Sequence, residues 1–313
     1  METLIEVYFK DNHKTKEVML DWFNQPFDLE YVDMSFTYCT RDRSVKYNRE
    51  RFIKYLDEEL SYNGTSSITL TSKDGMINSV RRERDYFDCN INLKVSEPNE
   101  VANRIAEFFD QHDGVIGFMC ASNDYIWQNE RDLDTYNWQG RPTEGLIIID
   151  NPLFKGEKMV SLESLPGYAH YVNGLWLGSC WKMWFGEEMF KFIPKTRFNS
   201  VDAKWALKTL SNHAIEITLH ENMMDFDKPD NRKRQWEFRK QVGVDAVAEW
   251  LEDMKSTGDP AVEIRTIQGG EGRAITNYYN DEKQNVPKSQ ATTAVYYEIN
   301  SAGDVTKEEI KKI

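Results

Sequence analysis

Hydrophobic periods divide the chain into short strands and amphipathic helices. Leu4–Phe9 alternates with period two, and Lys16–Phe23 follows with Val18, Met19, Trp22 and Phe23 on one helical side. A strand is predicted at Tyr31–Cys39. Asn48–Leu60 carries Phe52, Ile53, Leu56 and Leu60 in one stripe, with Asp57, Glu58 and Glu59 opposite. Ser67–Thr71 and Asp88–Val95 read as strands. The clearest helix starts at Glu97-Pro98, where Val101, Ile105, Phe108 and Phe109 recur at helical spacing until His112-Asp113-Gly114 stops it. Val115–Ala121 then reads as a buried strand.

The second half opens with a strand at Leu146–Ile149 and becomes aromatic and loop-rich. Ala203–Leu210 is predicted as a helix with Ala206, Leu207 and Leu210 inward, and Ile215–Leu219 as a strand. Val244–Met254 has the spacing of an amphipathic helix. Val262–Ile267, Ala274–Tyr279 and Thr292–Ile299 read as strands of a C-terminal sheet, with polar Asn280–Gln290 as a loop between them. Gly145, Pro152 and Gly156 punctuate the region around Asp150. The expected fold is therefore α+β, in two successive mixed sheet-plus-helix units at 1–150 and 151–313. The first is expected to be ferredoxin-like in its Asp88–Ala121 unit.

Composition sharpens this picture. With 313 residues the chain can bury a full core without disulfide or metal staples, and its 9 Trp, 15 Tyr and 16 Phe supply the area that aliphatics lack. Disorder is excluded for most of the chain. The formal charge of −13 lies mostly in residues 1–150 and argues against direct nucleic-acid binding, which needs a cationic face. Cys39, Cys89, Cys120 and Cys180 are widely spaced and form no metal or redox motif; they read as small apolar residues of a reducing compartment. The N-terminal residues lack a basic segment followed by an apolar one, so no signal peptide is expected. Pro166–Trp181 is the most apolar stretch and falls short of the ~20 residues a spanning helix needs. A cytoplasmic protein without membrane contact is expected.

Several clusters could carry chemistry. Residues 168–185 hold Tyr168, Tyr171, Trp176, Trp181, Trp184 and Phe185, which would make either a loop-built aromatic platform or a core layer. In residues 124–140, Asp124, Glu130, Asp132 and Asp134 interleave with Tyr125, Trp127, Tyr136 and Trp138. The Asp132/Asp134 pair has oxygen ligands for Mg²⁺ or Ca²⁺ but lacks the glycine and terminal glutamate of an EF-hand loop, and such pairs are common in solvated turns. An acidic, aromatic face suits a basic protein partner better, since charge steers encounter and rings anchor it. His213–Glu221 reads as a strand with Glu216 and His220 on one face and His213 on the other, an acid–base pair with no nucleophile beside it. The glycine-rich segment 268–273 precedes a strand rather than a helix and reads as a hairpin turn, not a phosphate cradle. Arg232-Lys233-Arg234, with Arg239 and Lys240, is a short basic cluster that could form a solvated helix face or pair with the acidic first half.

These features point to a non-enzymatic acidic protein that neutralises a basic protein partner by steric occlusion, with the texture of bacterial toxin-immunity proteins and phage anti-defence inhibitors. The expected partner-binding residues are Asp124, Trp127, Glu130, Asp132, Asp134, Trp138, Tyr171, Trp176, Trp181 and Trp184. No cofactor and no metal are expected, and a homo-oligomer is left open. The alternative is a hydrolase or transferase with a carboxylate/His site assembled from distant segments, drawing on Glu216, His220, Glu221 or the Asp132/Asp134 pair.

Overall fold

The structure is a computed structural model that describes residues 2–24, 29–38, 41–62, 64–81, 85–152, 154–172, 174–199, 201, 206–210, 214–252, 261–266, 272–300 and 304–313. The strands are β1 (Glu2–Lys10), β2 (Tyr31–Tyr38), β3 (Arg41–Lys46), β4 (Ser66–Ser72), β5 (Gly75–Arg81), β6 (Tyr86–Lys94), β7 (Ile116–Ala121), β8 (Ile148–Asp150), β9 (Lys158–Val160), β10 (His170–Val172), β11 (Leu175–Leu177), β12 (Lys182–Phe185), β13 (Ala206–Thr209), β14 (Ile215–Thr218), β15 (Val262–Thr266), β16 (Gly272–Tyr279), β17 (Thr293–Asn300) and β18 (Val305–Lys312). The helices are α1 (Lys16–Phe23), α2 (Arg49–Leu60), α3 (Pro98–Gln111), α4 (Ser122–Asn129), α5 (Leu133–Trp138), α6 (Glu187–Phe190), α7 (Lys195–Asn199), α8 (Pro229–Val242) and α9 (Val244–Glu252).

The fold is α+β, as the periodicity predicts. Ten strands form one antiparallel sheet in the order β13-β14-β12-β7-β1-β6-β5-β4-β2-β3, and β15 to β18 form a separate antiparallel meander. In the large sheet β1 pairs with β6 on one edge and β7 on the other, both antiparallel, while α3 connects β6 to β7. The Asp88–Ala121 unit is thus a split β–α–β arrangement with β1 inserted, the unit from which ferredoxin-like folds are built. Strands β12, β13 and β14, which follow residue 150, extend the sheet begun by strands that precede it.

The two faces of the sheet feed two cores. Ile5, Val7 and Phe9 of β1 pack with Phe87, Cys89 and Ile91 of β6 beneath α1, α2 and α3, where Trp22 and Phe108 lie 5.2 Å apart between ring centroids. On the opposite face, Phe118, Met183, Phe185, Ile215 and Ile217 pack with Trp176, Phe238, Val247 and the inner residues of the C-terminal sheet. Past β1 this second face turns polar: Asn90, Asn78 and Thr69 line it and are half-exposed.

Two expectations are corrected by packing. The helix expected at Ala203–Leu210 is a strand over Ala206–Thr209, because these residues complete the edge of the sheet against β14; residues 203–205 lie outside the described residues. Glu59, expected on the polar face of α2, is fully buried and ion-paired with buried Lys14, and it also accepts a hydrogen bond from Ser66 Oγ. His213, Cys39 and most of the 268–273 turn also lie outside the described residues.

Removing one member of a buried pair leaves the other charge without compensation. Lys14→Met is therefore expected to lower the unfolding free energy by about 3–5 kcal/mol in urea titrations at neutral pH. A loss indistinguishable from zero would show that Glu59 finds solvent.

Candidate functional site

The acidic and aromatic residues of the 124–140 segment belong to a small lobe built from α4, α5 and the β8–β9 hairpin. Its own core is Tyr136, Val160, Leu162 and Leu165, with Trp127, Leu133, Leu146 and Tyr168 packed against it. Asp132 caps α5 by accepting the Asp134 N–H at 2.9 Å, and Glu130 accepts the Asp132 N–H at 2.8 Å. These bonds are local turn chemistry. Asp134 projects from the first helical turn and is exposed. Val160 N–H donates to Arg131 O and Ser161 N–H to Ile147 O, so β9 ties the start of α5 to β8.

The lobe displays apolar side chains that no core covers. Trp138, at the end of α5, is 83% exposed; Ile147 and Phe154 are each 58% exposed, Ile148 40% and Ile149 39%. Large exposed apolar side chains of this kind are what protein-interaction surfaces carry. Glu144, Asp150 and Glu157 lie among these residues, and Asp150 pairs with Lys158 across the hairpin. From the sequence, Trp138 is expected at the surface, where it is, and a strand is expected at Leu146–Ile149, which overlaps β8 at Ile148 and Ile149; Ile147, Ile148, Ile149 and Phe154 are not expected at the surface. The available signal was that an isoleucine run flanked by Glu144 and Asp150 has no alternating polar face.

Other expected residues sit elsewhere. Asp124 is 2% exposed and accepts from Arg232 at 2.6 Å. Burial raises its pKa, and Arg232 opposes the rise only in part. This Arg232 bond joins α4 to α8, so the basic cluster does pair with the acidic half at this point. Arg232 also reaches Asp227 at 2.9 Å. Trp127 is half-buried between the Arg141 guanidinium, 4.7 Å from its ring, and Tyr136. Tyr171 is 45% exposed and hydrogen-bonds Tyr125 of α4, which places it at the margin of the lobe.

Trp176, Trp181 and Trp184 are core residues, so they cannot serve as surface anchors in this fold. Trp176 stacks on Phe118 at 4.3 Å, Trp181 Nε1 donates to His220 O at 2.8 Å, and Trp184 Nε1 donates to Glu216 at 2.9 Å. The aromatic stretch 168–185 fills both cores because β11 and β12 run through it.

The acid–base candidates are also committed to structure. Glu216 is buried between Trp184 and Lys182, whose ammonium lies 3.2 Å away. β14 ends at Thr218, so strand parity does not extend to His220, and no hydrogen bond joins Glu216 to His220 among the described residues. Burial holds the His220 imidazole down to about 4, and its Nδ1 faces the Asn222 carbonyl at 2.8 Å. Glu221 is exposed. Among the described residues no group of three His, Cys, Asp or Glu side chains is placed to hold a metal ion. A polar cleft of about 250 Å³ lies between β1, α3 and α6; there Lys10 and Lys191 pair with Glu188 at 2.5 and 2.6 Å. Burial pushes Glu188 up, but its bonds to Lys10 and Lys191 outweigh burial and leave the carboxyl below its usual range. Three of the cleft's charges, Lys10, Lys191 and Glu188, are thus spent on one another.

No protein-family model matches this chain, and no curated protein matches it. Among solved structures, a Pseudomonas aeruginosa T6SS protein superposes with a TM-score of 0.48 at 11% identity, over 77% of this chain and 72% of that one. A structure of the toxic C-terminal tip of CdiA from Pseudomonas aeruginosa in complex with immune protein gives a TM-score of 0.28 at 14% identity, over 39% of this chain and 88% of that one. At these scores neither likeness assigns a fold family or a function. No helix among the described residues is long and apolar enough to cross a membrane.

The His220 environment fixes a pH response. The folded protein keeps the ring neutral down to about pH 4, whereas the unfolded chain takes up the proton near pH 6.5. The stability gained from neutral His220 is present above about pH 6.5 and is lost as pH falls through that range toward 4. His220→Gln should flatten the fall in unfolding free energy across this window. Equal slopes in the two proteins would remove His220 as its cause.

Proposed function

We propose that this chain is a binding protein that captures a basic protein partner through the α4–α5–β8–β9 lobe and inhibits it by steric occlusion. The observation that carries the reading is the exposure of Trp138, Ile147 and Phe154 on one lobe, where the exposed carboxylates Asp132, Asp134, Glu144, Asp150 and Glu157 outnumber the exposed cations Arg131, Lys155 and Lys158. Glu130, Asp132 and Asp134 supply charge that steers a cationic partner, and Trp138, with Trp127 and Tyr171 at the margins, supplies ring area. Asp124, Trp176, Trp181 and Trp184 take no part, since each is buried. The finer assignment is to inhibitors of the toxin-immunity or phage anti-defence kind. Its support is compositional: an acidic, aromatic-rich chain. A cytoplasmic setting is supported by Cys89, Cys120 and Cys180, which are free and buried.

The test is retention of a protein from native host lysate by the wild-type chain and by Trp138→Ala/Asp134→Lys, both of which change exposed side chains. A basic protein should be held at low salt and weakened at roughly 0.5 M salt, where charges are screened beyond a few ångströms. Trp138→Ala alone should cost about 2 kcal/mol in affinity if it is an anchor. Retention unchanged in the double variant would overturn the lobe as the binding surface.

A further inference from the structure

We propose that β8 is a strand-addition site, at which an extended basic segment of a partner pairs with the backbone of Ile148 and Asp150. The inference rests on the reading of the lobe as the partner surface and specifies how the partner is held.

The hydrogen-bond register defines the available edge. Ser161 N–H donates to Ile147 O and Asn151 N–H donates to Glu157 O, with Ile149 opposite Met159 between them. Antiparallel strands alternate inward- and outward-directed backbone groups, so Ile147, Ile149 and Asn151 face β9. The N–H and C=O of Ile148 and Asp150 point away from it. β9 meets Asp132 on its far side, and β8 has no second strand among the described residues.

The side chains of this edge differ from those of β3 and β18. β18 carries Lys307, Glu308, Glu309, Lys311 and Lys312, and β3 carries Arg43 and Lys46, charges that deter edge-to-edge pairing. β8 presents Ile148 to one face and Ile149 to the other, both exposed, and no charge interrupts Leu146–Ile149. A pairing strand can therefore bury apolar side chains against one of these faces and lay the stems of longer side chains along the other while its backbone completes the ladder.

Charge selects the occupant. Glu144 precedes the isoleucines, and Glu157 and Asp134 stand on the same lobe, all exposed; Asp150 is paired with Lys158, so these three carboxylates outnumber Lys155, the hairpin's other cation. A second copy of this chain would bring acid against acid, whereas a segment alternating basic and apolar residues places opposite charge at these positions.

The experiment uses the full chain, labelled with ¹⁵N, and three synthetic peptides: an alternating Lys–Val strand, the same peptide N-methylated on alternate amides, and an alternating Glu–Val strand. The Lys–Val peptide should slow hydrogen exchange at Ile148 and Asp150 in particular. The N-methylated and Glu–Val peptides should each bind at least tenfold more weakly, and Ile148→Lys should abolish the protection without altering the rest of the spectrum. Equal binding of the N-methylated peptide, protection confined to β18 or β3, or a dimer in sedimentation that already protects Ile148 would each overturn the proposal. Should Ile148→Lys retain the lysate partner as wild type does, strand addition fails while the lobe's binding role stands; loss of retention only in Trp138→Ala/Asp134→Lys separates the two.

Discussion

β1 is the strand on which the rest of the molecule depends. It is hydrogen-bonded along both edges, and its alternate side chains enter different cores, Ile5, Val7 and Phe9 on one face and Tyr8 on the other. A strand in that position joins the packing of α1–α3 to that of β10–β14 and the C-terminal sheet. The joint is tight enough to dictate sequence. A Cβ on Gly186 would sit 1.8 Å from the Gly114 carbonyl oxygen, and one on Gly117 would press on Glu6 O and Trp184 at 3.2 Å. β7 then runs directly into α4 at Ser122, so the exposed lobe hangs from the best-packed part of the sheet. A partner surface on this lobe, as proposed, would lose little freedom on capture, because its root is already fixed.

The acidic excess is partitioned by the fold rather than spread over it. Glu59, Glu216 and Asp124 spend their charge inside the protein on Lys14, Lys182 and Arg232. Pairs of this kind cost desolvation and repay it through geometry, so their value lies more in fixing which elements meet than in net stability. Arg232 shows this: by reaching both Asp124 and Asp227 it locks α8 to α4 and sets the orientation of the lobe. The same division applies to the indoles. Trp181 and Trp184 enter the core with their N–H groups bonded to His220 O and Glu216, whereas Trp138 keeps its N–H in water and its ring uncovered.

What the chain's pattern revealed and what it concealed follow from the range of the interactions involved. β1, α1, α3 and β7 were legible because local periodicity and a local stop signal at His112-Asp113-Gly114 agree with the tertiary role. The 168–185 stretch was ambiguous because ring content says nothing about which side faces water; only pairing of β12 with β7 and β14 decides it. Asp124 and Arg232 are 108 residues apart, so nothing near either announces the other. Glu59 broke its helix pattern for the same reason, as Lys14 lies 45 residues away. The strand expected at Leu146–Ile149 forms two residues later, at Ile148–Asp150, and its exposure was not legible, since an apolar run ordinarily signals burial.

An exposed isoleucine edge is a hazard that a stable protein must offset. Unpaired edges with apolar faces invite self-association, and β3 and β18 answer with charges along the strand itself. β8 pairs with β9 alone among the described residues and has two other devices. It is only three residues long, which limits the ladder that a second copy could form, and carboxylates stand near it: Asp150 at its end, paired with Lys158, and Glu144 four residues before its start. In self-pairing those carboxylates would repel, a penalty that grows as the edge is desolvated. Against the cationic segment proposed above the same carboxylates would attract, so one set of charges would serve both ends and discriminate by sign. A charged strand would have guarded against aggregation equally well but would have removed the apolar contact area. Acids beside the strand, with isoleucines along it, keep the area while restricting who can use it.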